Sequence, residues 1–457
     1  MIRLFFFAKL PILVERGNKT KKEKIFEGGI RMKKVLCTIA LMLLVAGSAY
    51  AQATFSMTGS YWAEGKYWFN FNPDPDQEAN YKDTSFGFYE QDINLFPKIS
   101  VGNTSLNFRL AITDVNWGDS GPDSLDDSLD DDNFLVERAF ITHKFNDVFT
   151  LDVGLMDGTQ WGTTFADDKQ GRWRVKLTAN TSVGVVGGVL EKVWERGAVG
   201  ENARDEGDDV DHYGLFAVTK VGSVYVKPLI FYIDNRNLNG HDNDVTMLNL
   251  VLAFNGDLGP LSFEAELNSK QFDADFSTPD LDEDWWLYGI YFNVWKELDT
   301  MTPGLLFAYA SYDDEGGPAK TGAGFGYEDD FNATVILDDE YAWGNASGDG
   351  MLGMTTLKLY VNDIKTGIDP LTLSAYFAYV MSNQEDSTVI VGGNPVRIQN
   401  NFEDATAWEA ALGASYRITD NLIYSVYGAY ADINYDADNI DDPDAVYLIA
   451  NAIEFNF

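Results

Sequence analysis

From residue 53 onward the chain alternates between two textures. In one, apolar side chains recur at every second position. Leu106, Phe108, Leu110 and Ile112 alternate with Asn107, Arg109 and Ala111; Phe149, Leu151, Val153 and Leu155 alternate with Thr150, Asp152 and Gly154; Leu248, Leu250, Leu252 and Phe254 repeat the pattern. Period two places one apolar and one polar face on a half-exposed strand, and no helical period is sustained anywhere after residue 52. The other texture is rich in Asp, Gly and Asn and reads as connectors. Strands are predicted over 53–64, 86–100, 104–113, 134–145, 148–156, 171–180, 182–194, 211–221, 223–233, 245–255, 260–270, 284–296, 303–312, 353–363, 370–381, 405–418, 421–433 and 445–457.

The connectors between these strands alternate strictly between short and long. Gly102-Asn103, Asn146-Asp147, Gly222 and Thr419-Asp420 are short; 65–85, 114–133, 157–170, 195–210, 313–352 and 382–404 are long. In an up-and-down barrel, odd connectors share one rim and even connectors the other. Short periplasmic turns, long outer loops and an even strand count are the marks of a transmembrane antiparallel β-barrel. The expected fold is therefore all-β, a barrel of about 18 strands with 16 as the alternative count. A soluble β-sandwich would leave the one-sided long loops without a reason. Aromatic residues near strand ends (Tyr61 and Trp62, Trp285 and Trp286, Tyr291 and Trp295, Tyr424, Tyr427 and Tyr430) read as interfacial girdles.

The N-terminal region gives the compartment. Lys33 and Lys34 precede an apolar run from Val35 to Ala46, and Ala49-Tyr50-Ala51 is a small-x-small cleavage site. Residues 32–51 thus read as a secretory signal peptide cleaved after Ala51. Met32 is well placed as the true start, so 1–31 reads as a mis-called upstream extension, and 52–457 as one barrel domain. The single Cys, Cys37, leaves with the signal.

Charge narrows the partners. The chain has 71 acidic and 33 basic residues, a net charge of −38. That excludes nucleic acid as a partner, because no basic patch is available to neutralise phosphates. The acids concentrate in the long connectors, notably the Asp-Ser-Leu-Asp pair at 123–130 and the segments 195–211 and 312–352, which read as solvated outer surface. No stretch has the spaced ligands of a calcium loop, and no cofactor or metal site is expected. His143, His212 and His241 sit in no nucleophile motif and no metal-ligand spacing, so the chain reads as no enzyme.

Several short stretches carry a resemblance. Tyr89-Glu90-Gln91-Asp92-Ile93-Asn94-Leu95, Asp114-Val115-Asn116-Trp117-Gly118, Val136-Glu137-Arg138-Ala139-Phe140 and Val153-Gly154-Leu155 with Trp161-Gly162 resemble the N-terminal half of Gram-negative outer-membrane porins, most of all uncharacterised porins of sulfate-reducing-type bacteria. The likeness covers roughly 53–180 and the C-terminal strands. The chain departs from it where Leu155-Met156 follows Gly154, a place where many such porins have Arg. In the last strand, Tyr447, Ile453, Phe455 and the terminal Phe457 share one face and resemble the signal read by the barrel-assembly machinery. The resemblance implies a homotrimer in the cell outer membrane, in contact with lipid and lipopolysaccharide, and a water-filled channel for passive diffusion of small hydrophilic solutes and ions.

Strand parity supplies candidate pore residues. If Trp173, Val175 and Leu177 face lipid, then Arg172, Arg174 and Lys176 line the lumen; Arg138 and Lys144 follow by the parity of Leu135, Ala139 and Ile141, and Arg109 by its own strand. A charged side chain on the lipid face near the midplane costs about 2–4 kcal/mol, which favours that assignment. The third long connector, 157–170, matches the porin loop that folds into the channel. It brings Asp157, Asp167 and Asp168, opposed to Arg138, Arg172, Arg174 and Lys176 across a narrow gap. The expected selectivity is weakly cationic. A solute-selective channel, for example for sugars or organic acids, and a structural or adhesive surface barrel without conductance stay open as alternatives.

Overall fold

The computed structural model describes residues 53–70, 85–117, 134–158, 160–166, 170–194, 209–236, 244–275, 283–313, 323–328, 330–340, 343, 350–385, 387–391, 394–398, 402–435, 442 and 444–457. Residues 1–31, read from sequence as an upstream extension, and 32–51, read as a signal peptide with Ala49 and Ala51, lie outside the described residues, as do Asp167, Asp168, His241 and the Asp-Ser-Leu-Asp repeat.

Eighteen strands close into one antiparallel barrel: β1 (Ala53–Phe69), β2 (Ser85–Val101), β3 (Thr104–Asn116), β4 (Phe134–Lys144), β5 (Phe149–Asp157), β6 (Gly171–Thr181), β7 (Gly184–Trp194), β8 (Val210–Val221), β9 (Val224–Asn235), β10 (Asp244–Leu258), β11 (Leu261–Asp275), β12 (Glu283–Trp295), β13 (Thr302–Ala310), β14 (Met354–Lys365), β15 (Leu371–Ser382), β16 (Thr406–Thr419), β17 (Leu422–Asn434) and β18 (Val446–Asn456). Each pairs with its neighbours in sequence, and β1 also pairs with β18, with Tyr67 opposite Ile449 and Ser60 opposite Asn456. This pairing sets the count at eighteen rather than sixteen. Closure leaves no strand edge unbonded, the condition for a sheet in hydrocarbon. Phe457 extends the seam, its N–H donating to Gly59 O at 3.0 Å and its carbonyl accepting from Gly59 N–H at 2.8 Å. The tightest turns sit on one rim, and Gly102 and Gly222 supply the positive φ there (56° and 64°).

Outward positions are apolar. Trp173, Val175 and Leu177 on β6, Tyr213 and Leu215 on β8, and Tyr447 and Ile449 on β18 are all exposed. Water would penalise such a surface and lipid accepts it, so the closed wall and its apolar exterior define a bacterial outer-membrane barrel. The girdle reading needs correction. Neighbouring residues on a strand take opposite faces, so Trp286 is 58% exposed while Trp285 is 7% exposed and turned inward. Tyr291 is likewise buried inside, and Tyr427 reaches inward to Glu64 with its hydroxyl 2.6 Å from Oε1.

A second correction concerns the segment between β13 and β14. Its acidic content reads as solvated surface, yet its described residues fold into the barrel. Phe325, Tyr327, Ala333, Ile336, Leu337 and Met351 are fully buried against the inner wall. A single helical turn, Val335–Glu340, points its first N–H groups at the Glu409 carboxylate on β16, with Val335, Ile336 and Leu337 donating at 2.9–3.1 Å. The apolar residues scattered among the acids outweigh the charge. A carboxylate facing a helix start satisfies otherwise orphan donors and complements their partial positive charge.

Candidate functional site in the lumen

The connector from β5 to β6 crosses the lumen. Phe165, at its tip, is fully buried 5.6 Å from the Tyr291 ring on β12 and 5.6 Å from Phe325. The latch is Glu266 on β11, whose Oε2 accepts from Thr163 N–H at 2.8 Å and from Thr163 Oγ1 at 2.9 Å. Lys227 on β9 donates to Gly162 O at 3.0 Å, and Trp161 Nε1 donates to Lys227 O at 3.1 Å. Gly162 is required here. Its φ is +89°, and a Cβ would stand 2.5 Å from the Glu266 carboxylate. Gln160 reaches the other in-folded segment through Asp330, 3.2 Å away.

The cations predicted from strand parity do share the lumen side of β3–β6, and four of them, Arg109, Arg138, Arg174 and Lys176, each meet an acid. Arg109 Nε lies 2.6 Å from Glu137, Arg138 pairs with Asp157, Arg174 with Glu191, and Lys176 lies 3.2 Å from Asp152. Arg174 also donates to the Asp157 carbonyl, and Arg172 to Gln170. Of these acids, sequence reasoning found only Asp157. Glu137, Asp152 and Glu191 belong to the wall itself. Glu137 comes inward because the β3–β4 register slips by one residue between Arg109 and Leu110, which sets Glu137 beside Arg138. His212 joins the group, its Nδ1 3.1 Å from Glu191. His143 instead lies near the short-turn rim, 2.8 Å from Thr104 Oγ1. Among the described residues, no group of three or more His, Cys, Asp or Glu side chains is arranged to hold a metal ion.

Between the crossing connector and the β4–β11 wall lies a cavity of about 460 Å³. One side is charged, with Arg138, Asp157, Arg174 and Lys176 on its lining. The rest is unexpectedly apolar for a barrel interior, lined by Phe140, Val189, Phe216, Leu229, Phe231 and Val251. Trp161 covers it from the connector, its ring 4.9 Å from Phe216. The parity rule that located the cations would also have found this belt, because these residues share lumen parity on their strands.

No family model matches the sequence, and no curated protein matches it. Solved outer-membrane structures match along most of their length. OccK9 (OpdG) of Pseudomonas aeruginosa is 12% identical with a TM-score of 0.48, over 88% of this chain and 99% of that one. A BenF-like porin from Pseudomonas fluorescens Pf-5 is 12% identical with a TM-score of 0.49, over 88% and 98%. An anion-selective porin from Comamonas acidovorans is 10% identical with a TM-score of 0.44, over 89% and 100%. At these identities the likeness is one of fold alone, and the narrower resemblance to porins of sulfate-reducing-type bacteria gains nothing from it.

Proposed function

We propose that this barrel is a porin, a passive channel for small hydrophilic solutes and ions, narrowed by the connector 158–170. The observation that carries this reading is the connector's course: it is pinned to the far wall by Glu266 and Phe165 and still leaves a chamber with charged groups on its lining. Fixed charges of both signs beside a narrow aqueous path make a transverse field, which orients dipolar solutes and separates anion and cation paths. Arg109, Arg138, Arg172, Arg174, Lys176 and Asp157 are the residues assigned to that field, with Asp167 and Asp168 as its loop members. The channel reading leaves no step for an enzyme. The acid excess of the whole chain favours weak cation selectivity at the outer mouth. Replacing Arg172 and Arg174 together with Ala should raise conductance and move the reversal potential toward cations. Unchanged values for both would remove these residues from the pore.

The solute-selective reading is favoured by one observation, the apolar half of the chamber, which simple diffusion of hydrophilic solutes does not need. For assembly, the exposed Tyr447, Ile449, Phe455 and Phe457 beside Phe55 and Met57 of β1 offer an apolar outer wall at the seam. That wall suits lipid, lipopolysaccharide at its outer end or subunit contact in a homotrimer. Tyr447, Ile453, Phe455 and Phe457 are the assigned recognition signal for the barrel-assembly machinery. Crosslinking of the purified protein in mild detergent tests the trimer.

A further inference from the structure

The chamber combines two features that select for different parts of one molecule. Its charged side is neutral once Glu191 and Asp152, which stand behind the lining and match Arg174 and Lys176, are counted with it. Arg138 and Asp157 pair with one another and both line the cavity, each with 23% of its side chain exposed. Lys270 and Glu328, 2.9 Å apart, also both line it. An ion pair open to a cavity can exchange its partner for a second ion pair, so it matches a solute bearing both a carboxylate and an ammonium group. A plain anion would have to displace Asp157, and a plain cation would have to displace Arg138, each leaving a partly desolvated charge unmatched.

The remaining lining is mostly apolar, and its polar members include two acceptors without donors. Asn268 is 3% exposed, and the side-chain carbonyls of Asn249 and Asn268 have no hydrogen-bond partner. They lie on the same face of β10 and β11, where Asn249 pairs with Lys270 and Val251 with Asn268. A buried acceptor left unpaired is costly. The cavity volume lies within the range of small-molecule sites, about 300–1,000 Å³.

We propose that the chamber is a binding station for zwitterionic solutes with an apolar body, namely apolar or aromatic amino acids and their short peptides. The inference rests on the channel reading and names its solute class. The carboxylate meets Arg138, the ammonium meets Asp157, and the side chain lies against Phe216, Phe231 and Val189 under Trp161.

The test is solute block of KCl current through the refolded barrel in a planar bilayer. Absence of current altogether would fail the channel reading and, with it, this one; the solute comparison applies once current is seen. The probes are L-phenylalanine, glycine, 3-phenylpropionate and phenethylamine. Phenylalanine should block saturably, at about one-tenth the concentration glycine needs, from burial of its ring. It should also block at lower concentration than the anion or the cation. In Asp157→Asn the order should change, with 3-phenylpropionate becoming the best blocker, because Arg138 then has no matching charge. Glycine as effective as phenylalanine would overturn the apolar half of the proposal. Phenylpropionate or phenethylamine as effective as phenylalanine in the unaltered protein would overturn the zwitterionic half.

Discussion

At the scale of single residues, two carboxyls hold the interior together, and each gives a prediction. Glu266 is fully buried and receives two donors from Thr163. Hydrogen bonds to a charged acceptor are worth about 1.5–3 kcal/mol each. Glu266→Ala should therefore free the crossing connector and raise single-channel conductance with added flicker, while Glu266→Gln should fall between. Conductance equal to that of the parent barrel would show that the latch does not hold the connector. Asp338, in the segment before β14, is fully buried and accepts from Ala333 N–H at 2.7 Å and Met351 N–H at 3.0 Å. Burial pushes its pKa up to about 8, against the pull of those two donors. A raised carboxyl pKa means that docking binds a proton, so its stabilisation is whole below about pH 4. It is lost as pH rises through about 8. Limited proteolysis between β13 and β14 should thus be slower at pH 6 than at pH 9, and Asp338→Asn should flatten the profile. A profile that steepens in the variant, or cleavage faster at pH 6, would contradict the assignment.

At the scale of elements, strands were legible and the interior filling was not. All eighteen strands were readable, sixteen of them to within three residues at each end and β1 and β11 falling five short at one end, because period-two patterning survives wherever one face meets lipid and the other the lumen. The β5–β6 connector was legible as an inward loop from its place in the order and its Gly and Trp content. The segment before β14 was not. Its ten acids in 312–352 suggested solvent, while Phe325, Tyr327, Phe331, Ile336 and Leu337 were too scattered to show any period. The wall acids Glu137, Asp152 and Glu191 escaped for another reason. Parity puts Asp152 and Glu191 in the lumen but cannot tell which cation each one meets, and it puts Glu137 on the outer face, from which only the β3–β4 register slip brings it inward. The two in-folded elements touch through Phe165, whose ring neighbours include Phe325, Tyr327 and Phe331. Phe165→Ala removes that contact, and burial losses of this kind cost about 3–5 kcal/mol. Both elements should then loosen together, read as faster proteolysis of the β13–β14 segment although the substitution lies on the other connector. Unchanged cleavage there would show that they are independent.

At the scale of the whole molecule, the apolar exterior, closed seam and divided lumen work as one design. Closure satisfies every strand edge, so the wall can stand in lipid and leave its inner face free for chemistry. One side of that inner face, β11 to β18, is filled by the segment before β14. The other side, β4 to β11, keeps the chamber with its ion pairs and apolar belt. The acids that give the chain its charge of −38 need not set selectivity at the chamber, because there the charges are paired. Their reach from the outer loops is limited to a Debye length of about 8 Å at physiological salt.

The measurement that tests this account most directly is single-channel recording of the refolded barrel in a planar bilayer, with the reversal potential taken under a KCl gradient. The account predicts stable conductance steps with a weak preference for cations. Silence from a barrel whose folding is verified independently would mean that the two in-folded segments seal the lumen, and it would contradict the channel.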